Sequence, residues 1–192
     1  MRRLSVFNSV TADGYFTGDN GDLSWAHKQD PEWNSFVAEN SESEGQLLFG
    51  RVTYEMMAGF WPTAAAAQVF PVVAEQMNKL SKVVFSKSLD KATWNNTQLL
   101  KGDLVDEVRK LKEAPGPHMV IMGSGTIVSQ LTRARLIDEY QMVFNPIVLG
   151  SGRSMFEGFQ GFEGLKDKLN LKVIKTRAFQ NGNTLVCYEP QE

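Results

Sequence analysis

The sequence is poorest in the residues that carry nucleophilic, acid–base and metal chemistry. Cys187 is its single cysteine, and His27 and His118 are its two histidines. One cysteine excludes an internal disulfide, and no Cys/His grouping has ligand spacing, so no metal site is expected. Cys187 lies in the apolar run Leu185-Val186-Cys187-Tyr188 and reads as a small buried hydrophobe. No apolar run approaches the roughly 18–20 residues that span a bilayer. The start, Met1-Arg2-Arg3-Leu4-Ser5, turns polar too soon for a signal peptide, so a cytoplasmic location is expected. Net charge is nearly absent too. At −2 it gives no electrostatic ground for nucleic acid or an anionic membrane as partner. What is there is an ordinary globular composition, 42% hydrophobic and 22% charged, which argues against disorder. The length of 192 residues suits one domain, 1–192, and no linker or repeat divides it.

The apolar pattern alternates between short buried runs and helical spacings. Residues 3–9, 46–49, 82–85, 97–100 and 118–122 read as strands, the last being the clearest core strand. Asp30-Pro31-Glu32 reads as a helix start, with an N-cap, a first-turn proline and an early acid; Trp33, Phe36 and Val37 give that helix an apolar face. Residues 51–58, 70–80, 104–111 and 126–132 also read as helices, with Pro62-Thr63 and an alanine-rich connection before the second of them. After Asp138 the pattern changes: 139–144, 169–179 and 184–189 read as strands, the last two joined by the hairpin turn Gln180-Asn181-Gly182-Asn183. The expected fold is α/β: a mostly parallel central sheet, helices on both faces, and an antiparallel C-terminal hairpin at one edge.

In such sheets ligands bind beyond the carboxyl ends of the strands. Gly50-Arg51-Val52-Thr53 places a glycine, a cation and a hydroxyl where a helix exposes unpaired N–H groups, an arrangement suited to phosphate. Gly123-Ser124-Gly125-Thr126 repeats the layout, although Val128 stands at the last position of G-x-G-x-x-G. Ser86-Lys87-Ser88 adds two hydroxyls and a cation beyond a third strand. Three anion-ready strand ends favour a long ligand with several phosphates. Each also has a plain reading: a solvated arginine, a capped turn, an ordinary loop.

The segments Ser9-Val10-Thr11-Ala12-Asp13-Gly14-Tyr15, Leu48-Phe49-Gly50-Arg51-Val52-Thr53-Tyr54-Glu55, Lys82-Val83-Val84-Phe85-Ser86, Val120-Ile121-Met122-Gly123-Ser124-Gly125, Ile137-Asp138-Glu139-Tyr140 and Asn145-Pro146-Ile147-Val148-Leu149-Gly150-Ser151-Gly152-Arg153 occur in that order, followed by a final strand over 182–190. Together they resemble the dihydrofolate reductase-like family. The nearer branch holds the reductase C-terminal domain of riboflavin-biosynthesis proteins and its stand-alone bacterial relatives. The resemblance implies a three-layer fold, NADPH as cofactor, a small-molecule substrate and a homodimer. It places Arg51 near the adenosine 2′-phosphate, Thr53 near the pyrophosphate, and Ser86 and Lys87 at the adenosine-phosphate end. Gly50 belongs to the same turn, and Gly123, Ser124, Gly125, Thr126 and Ile127 would cradle the pyrophosphate. Gly14, Tyr15, Pro146, Gly150 and Gly152 would border nicotinamide and substrate. A proton could come from water, from Asp13 or from Asp30.

The chain departs from the family pattern at named places. The family's Gly-Gly pair is Gly123-Ser124 here, and Tyr15 follows Asp13-Gly14 where riboflavin reductases typically carry a basic residue. No zinc deaminase domain accompanies it. A folate reductase needs a carboxylate on the first helix; Asp30 and Glu32 are the candidates, yet spacing back from Gly50 falls nearer Asn34. Asp30 as N-cap and Glu32 as dipole compensation are the plainer readings. Trp25, Trp33, Tyr54 and Trp61 read as packing residues, Glu157, Glu163 and the lysines from 166 to 175 as solvated. The leading expectation is an NADPH-dependent reductase acting on a pterin, folate or ribosylaminopyrimidine-like compound. The alternatives are a non-catalytic nucleotide-binding module, and a homodimeric structural protein whose stretch 137–148 is chiefly interface.

Overall fold

The computed structural model describes residues 1–26, 30–41, 45–156, 165 and 167–191. His27, Glu157, Glu163 and Lys166 lie outside the described residues. The strands of the main sheet are β1 (Leu4–Thr11), β3 (Gly45–Gly50), β4 (Ser81–Phe85), β5 (Thr97–Leu100), β6 (His118–Met122), β7 (Glu139–Asn145), β9 (Leu171–Ala178) and β10 (Thr184–Pro190). Their order is β5-β4-β3-β6-β1-β7-β10-β9. The first six pair in parallel; β10 runs antiparallel to β7 and to β9, which forms the edge. The expected α/β sheet with its terminal hairpin is the observed one.

Alternation along each strand sends side chains to two helical layers. Leu4, Val6, Leu48, Val83, Met119 and Ile121 face one side. There they meet Val108 of α5 (Leu104–Glu113) and Ile127, Val128 and Leu131 of α6 (Gly125–Arg133). Leu47, Phe49 and Val84 face the other, under Tyr54 of α2 (Arg51–Phe60) and Met77 of α4 (Pro71–Lys79). Phe36 of α1 (Pro31–Ser41) continues that layer over Val143, Leu185 and Cys187. Each such side chain contributes about 1.5–3 kcal/mol by leaving water. Burial pushes the Cys187 thiol up from its ordinary value, as suits a packing residue.

Two buried lysines are held by main-chain carbonyls. Lys82 donates to the carbonyls of Met77, Asn78 and Leu80 at 2.8, 3.3 and 2.5 Å, closing the end of α4, and its ammonium lies 4.5 Å from the centre of the Trp94 ring. Lys112 donates to the Leu136 carbonyl and the Asp138 carboxylate, which also accepts from the Leu4 amide. Asp138 therefore ties α5 to the entries of β1 and β7.

Two details depart from the sequence expectation. The alanine-rich connection is itself a helix, α3 (Ala64–Val69), because the Thr63 side chain caps it at the Ala66 amide. A small antiparallel ribbon pairs β2 (Tyr15–Thr17) with β8 (Arg153–Ser154); strands this short carry no alternation to read. The structure also corrects the interface reading of 137–148. Ile137, Tyr140, Met142 and Val143 are buried within the chain, since β7 is an interior strand; Val148 is exposed.

Candidate functional site

The carboxyl ends of β3 and β6 lead straight into α2 and α6, and neither helix has a side-chain cap at its start. Uncapped first turns leave N–H groups and the positive end of the helix dipole available to an anion. One side chain ties the two turns together. The Ser124 hydroxyl accepts from the Gly50 amide at 2.8 Å and donates to Thr53 Oγ1 at 2.9 Å. Thr53 keeps its own hydroxyl hydrogen to offer elsewhere. Ser124 reaches this position with a left-handed backbone, φ 59° and ψ 61°, directly after Gly123 at φ 66°. A Cβ on Gly123 would lie 3.0 Å from Thr53 Cγ2. The amide of Gly123 is itself fixed, donating to Asn8 Oδ1 at 2.6 Å.

Gly125 answers to a different neighbour. A Cβ there would sit 2.6 Å from Cζ of Phe16, so this glycine seats an aromatic ring beneath the start of α6. Ile127 is buried behind the turn, and Thr126 stands half-buried with its carbonyl accepting from Gln130.

Beside α2 runs a groove of about 640 Å³, lined among others by Arg51, Tyr54, Glu55, Ser88, Asp90 and Lys91. Arg51 pairs with Glu55 at 2.8 Å. The Tyr54 hydroxyl accepts from the Thr93 and Trp94 amides, both at 2.9 Å, which fixes the far wall to α2. Ser86 shapes that wall by accepting from the Ser88 and Leu89 amides. Lys87 is exposed and outside the groove lining; Lys91 is the lysine that lines it. A smaller hollow of about 320 Å³ lies at the amino ends of β1 and β7, and its Arg3 is engaged by Glu139 and Glu189.

The loops after β1 and β7 are latched to each other. Asp13 accepts from the Thr11 hydroxyl at 2.6 Å, the Gly150 amide at 2.8 Å and the Leu149 amide at 3.1 Å. The Thr11 bond first, then that of Gly150, holds its carboxyl below the ordinary value, so Asp13 stays ionised and is poorly suited to giving up a proton. Gly14 and Gly150 turn at φ 89° and 76°. A Cβ on Gly152 would strike the Thr17 carbonyl at 2.3 Å and the Tyr15 ring at 3.1 Å, so the β2–β8 ribbon closes over this glycine. Pro146 packs under the hairpin turn, 3.1 Å from a Cβ on Gly182.

Asp30 caps α1, accepting from the Glu32 and Trp33 amides at 2.7 and 3.4 Å. Glu32 reaches the hairpin, to Arg177 Nη2 and the Gln180 amide, both at 3.1 Å. Both carboxylates thus have work in the fold. Sequence reading missed Asn8, Glu55, Asp90 and Lys91. For Asn8 a signal existed: it is the one amide in the inward series Leu4, Val6, Asn8, Val10 of β1.

A family model described as the RibD C-terminal domain matches residues 2–185. The chain belongs to the RibD C-terminal domain family. The uncharacterized protein YyaP of Bacillus subtilis is 25% identical over 188 residues, which cover 98% of this chain and 95% of YyaP. A putative riboflavin biosynthesis protein from Shewanella sp. PV-4 is 24% identical with TM-score 0.71, covering 99% of each chain. The dihydrofolate reductase of Enterococcus faecalis, solved with NADP(H) and RAB-propyl, superposes with TM-score 0.64 at 16% identity, over 99% of this chain and 97% of that one. The fold is therefore dihydrofolate reductase-like, as the ordered segments implied, and it is a reductase-type fold. Among the described residues no helix is long and apolar enough to cross a membrane, and no cluster of three or more His, Cys, Asp or Glu could hold a metal.

Proposed function

We propose that this member of the RibD C-terminal domain family is an NADPH-dependent reductase acting on a small heterocyclic or carbonyl-like substrate of the pterin, folate or ribosylaminopyrimidine class. The observation that carries the proposal is the pair of uncapped helix starts joined through Ser124. Two such starts side by side suit a pyrophosphate, and Thr53 between them keeps a hydroxyl hydrogen to donate, because its oxygen accepts from Ser124. A nicotinamide cofactor, when bound, supplies the hydride. The chain's residues bind and orient. The first turns of α2 and α6 and the Thr53 hydroxyl hold phosphate oxygens, Arg51 meets the 2′-phosphate from the groove, and the latched loops with Tyr15 and Pro146 bound the substrate side. Hydride transfer needs no nucleophile from the chain. With Asp13 held ionised and Asp30 capping α1, water is the better proton source. A homodimer and a cytoplasmic location remain parts of the proposal, the first read by size-exclusion chromatography.

The test is a titration of NADPH fluorescence followed by turnover with dihydrofolate, pterins and ribosylaminopyrimidines. Saturable binding below millimolar cofactor is expected, with NADPH oxidation by one of these classes. Arg51→Ala should weaken NADPH much more than NADH. Absence of cofactor binding sinks the proposal; binding without turnover by any of these classes leaves the nucleotide-binding module as the better reading.

A further inference from the structure

We propose that Glu55 sets how strongly this site prefers NADPH over NADH, by competing with the adenosine 2′-phosphate for Arg51. The inference rests on the cofactor reading above and adds a residue that tunes it.

Arg51 is the first residue of α2, where a cation faces the positive end of the helix dipole, and α2 has no acid in its first turn to offset it. Its partner stands one turn further on, at Nη1···Oε2 2.8 Å, in the less favourable order of cation before carboxylate. Local preference therefore disfavours Arg51 at this place, and such violations concentrate where function requires them. Both side chains are half-exposed, at 43% and 46%, and both line the groove beside α2. Tyr54 fixes the opposite wall, so the groove cannot widen freely to separate ligand from carboxylate.

The charges of that groove balance. Arg51 and Lys91 supply two cations; Glu55 and Asp90 supply two carboxylates. A phosphomonoester dianion entering here must take the Arg51 guanidinium from Glu55 and tolerate a like charge beside it. An unphosphorylated ribose meets no such conflict, because its hydroxyls can donate to the same carboxylates. Arg51 alone points to a strong NADPH preference. The Arg51–Glu55 pair makes that preference smaller than the arginine by itself would give.

The experiment measures dissociation constants of NADPH and NADH by fluorescence for the wild-type chain, Glu55→Gln, Arg51→Ala and the double variant. Adenosine 2′,5′-bisphosphate and adenosine 5′-monophosphate serve as probes of this end alone. Glu55→Gln should tighten NADPH and the bisphosphate by up to about fivefold, the upper end of what an exposed ion pair commands, and leave NADH and the monophosphate essentially unchanged, so that the NADPH-to-NADH ratio rises. In the Arg51→Ala background the gain should vanish. An unchanged NADPH-to-NADH ratio in Glu55→Gln overturns the inference while leaving the cofactor reading intact. So does a gain that persists without Arg51. If the wild-type chain binds neither dinucleotide, the cofactor reading fails and this inference with it.

Discussion

Replacing Ser124 by alanine and by glycine separates the two things this residue does. Its backbone is left-handed, which costs a residue bearing Cβ about 1–2 kcal/mol. Its hydroxyl makes two hydrogen bonds, each contributing about 0.5–1.5 kcal/mol net. Ser124→Ala keeps the strain and loses both bonds, leaving the Gly50 amide without its partner; the expected cost is about 2–3 kcal/mol. Ser124→Gly loses the same bonds but relieves the strain, so its cost should be about 1 kcal/mol. For a chain of this length 1 kcal/mol moves Tm by about 2–4 °C. The alanine variant should therefore melt about 4–12 °C below wild type, and the glycine variant within about 4 °C. Thermal unfolding by circular dichroism, with urea melts to confirm a common m-value, reads the difference. An alanine variant as stable as the glycine variant refutes the reasoning, because it means that the left-handed backbone carries no strain. Glycine here also restores the family's Gly-Gly pair, so cofactor affinity should survive that change better than the change to alanine.

Three further perturbations follow from the geometry. Asp13→Asn should speed hydrogen exchange at the Leu149 and Gly150 amides by about tenfold, as a charge-assisted latch weakens by about 1.4 kcal/mol; unchanged exchange would mean that the carboxylate does not hold the loops. Gly125→Ala should cost at least about 2 kcal/mol, because its methyl would sit 2.6 Å from the buried Phe16 ring, and Phe16→Leu in the same chain should recover part of it in urea melts. Burial pushes Lys82 down to about 8. The unfolded chain therefore binds more protons than the folded one between about 8 and 10.5, and the Lys82 contribution to stability rises with pH across that window. Three carbonyls and the Trp94 ring favour the charged form and oppose that rise; urea melts at both ends of the window, with Lys82→Met as the reference, should show wild type gaining on the variant.

How much of this was legible depended on whether a feature repeats. Strands β1, β3, β4, β6, β7 and β10 and helices α4, α5 and α6 announce themselves because buried positions recur along them, as Leu4, Val6 and Val10 do in β1. The β2–β8 ribbon has no such recurrence. Its cause is a tertiary contact, the Tyr15 ring over Gly152, which no local window contains. The groove was half legible. Arg51 and Tyr54 stand in a recognisable segment, but Lys91 and Asp90 belong to an irregular stretch whose path is fixed by the Tyr54 hydroxyl reaching Thr93 and Trp94.

The glycine-rich turn shows why a motif can be placed correctly while its residues are explained for the wrong reason. Gly123-Ser124-Gly125 reads as backbone cleared for a phosphate. In the folded chain the missing Cβ of Gly125 makes room for Phe16, and that of Gly123 makes room for Thr53. Ser124, which departs from the family's glycine, adopts the left-handed backbone that glycine would take more cheaply. Its hydroxyl then joins two turns that are 71 residues apart in sequence. A side chain that carries strain in order to bond both turns is more than decoration on a phosphate loop: it sets the spacing between the α2 and α6 starts before any ligand arrives. The proposed anion site is therefore a property of the pair of turns, which is why neither turn is convincing when read alone.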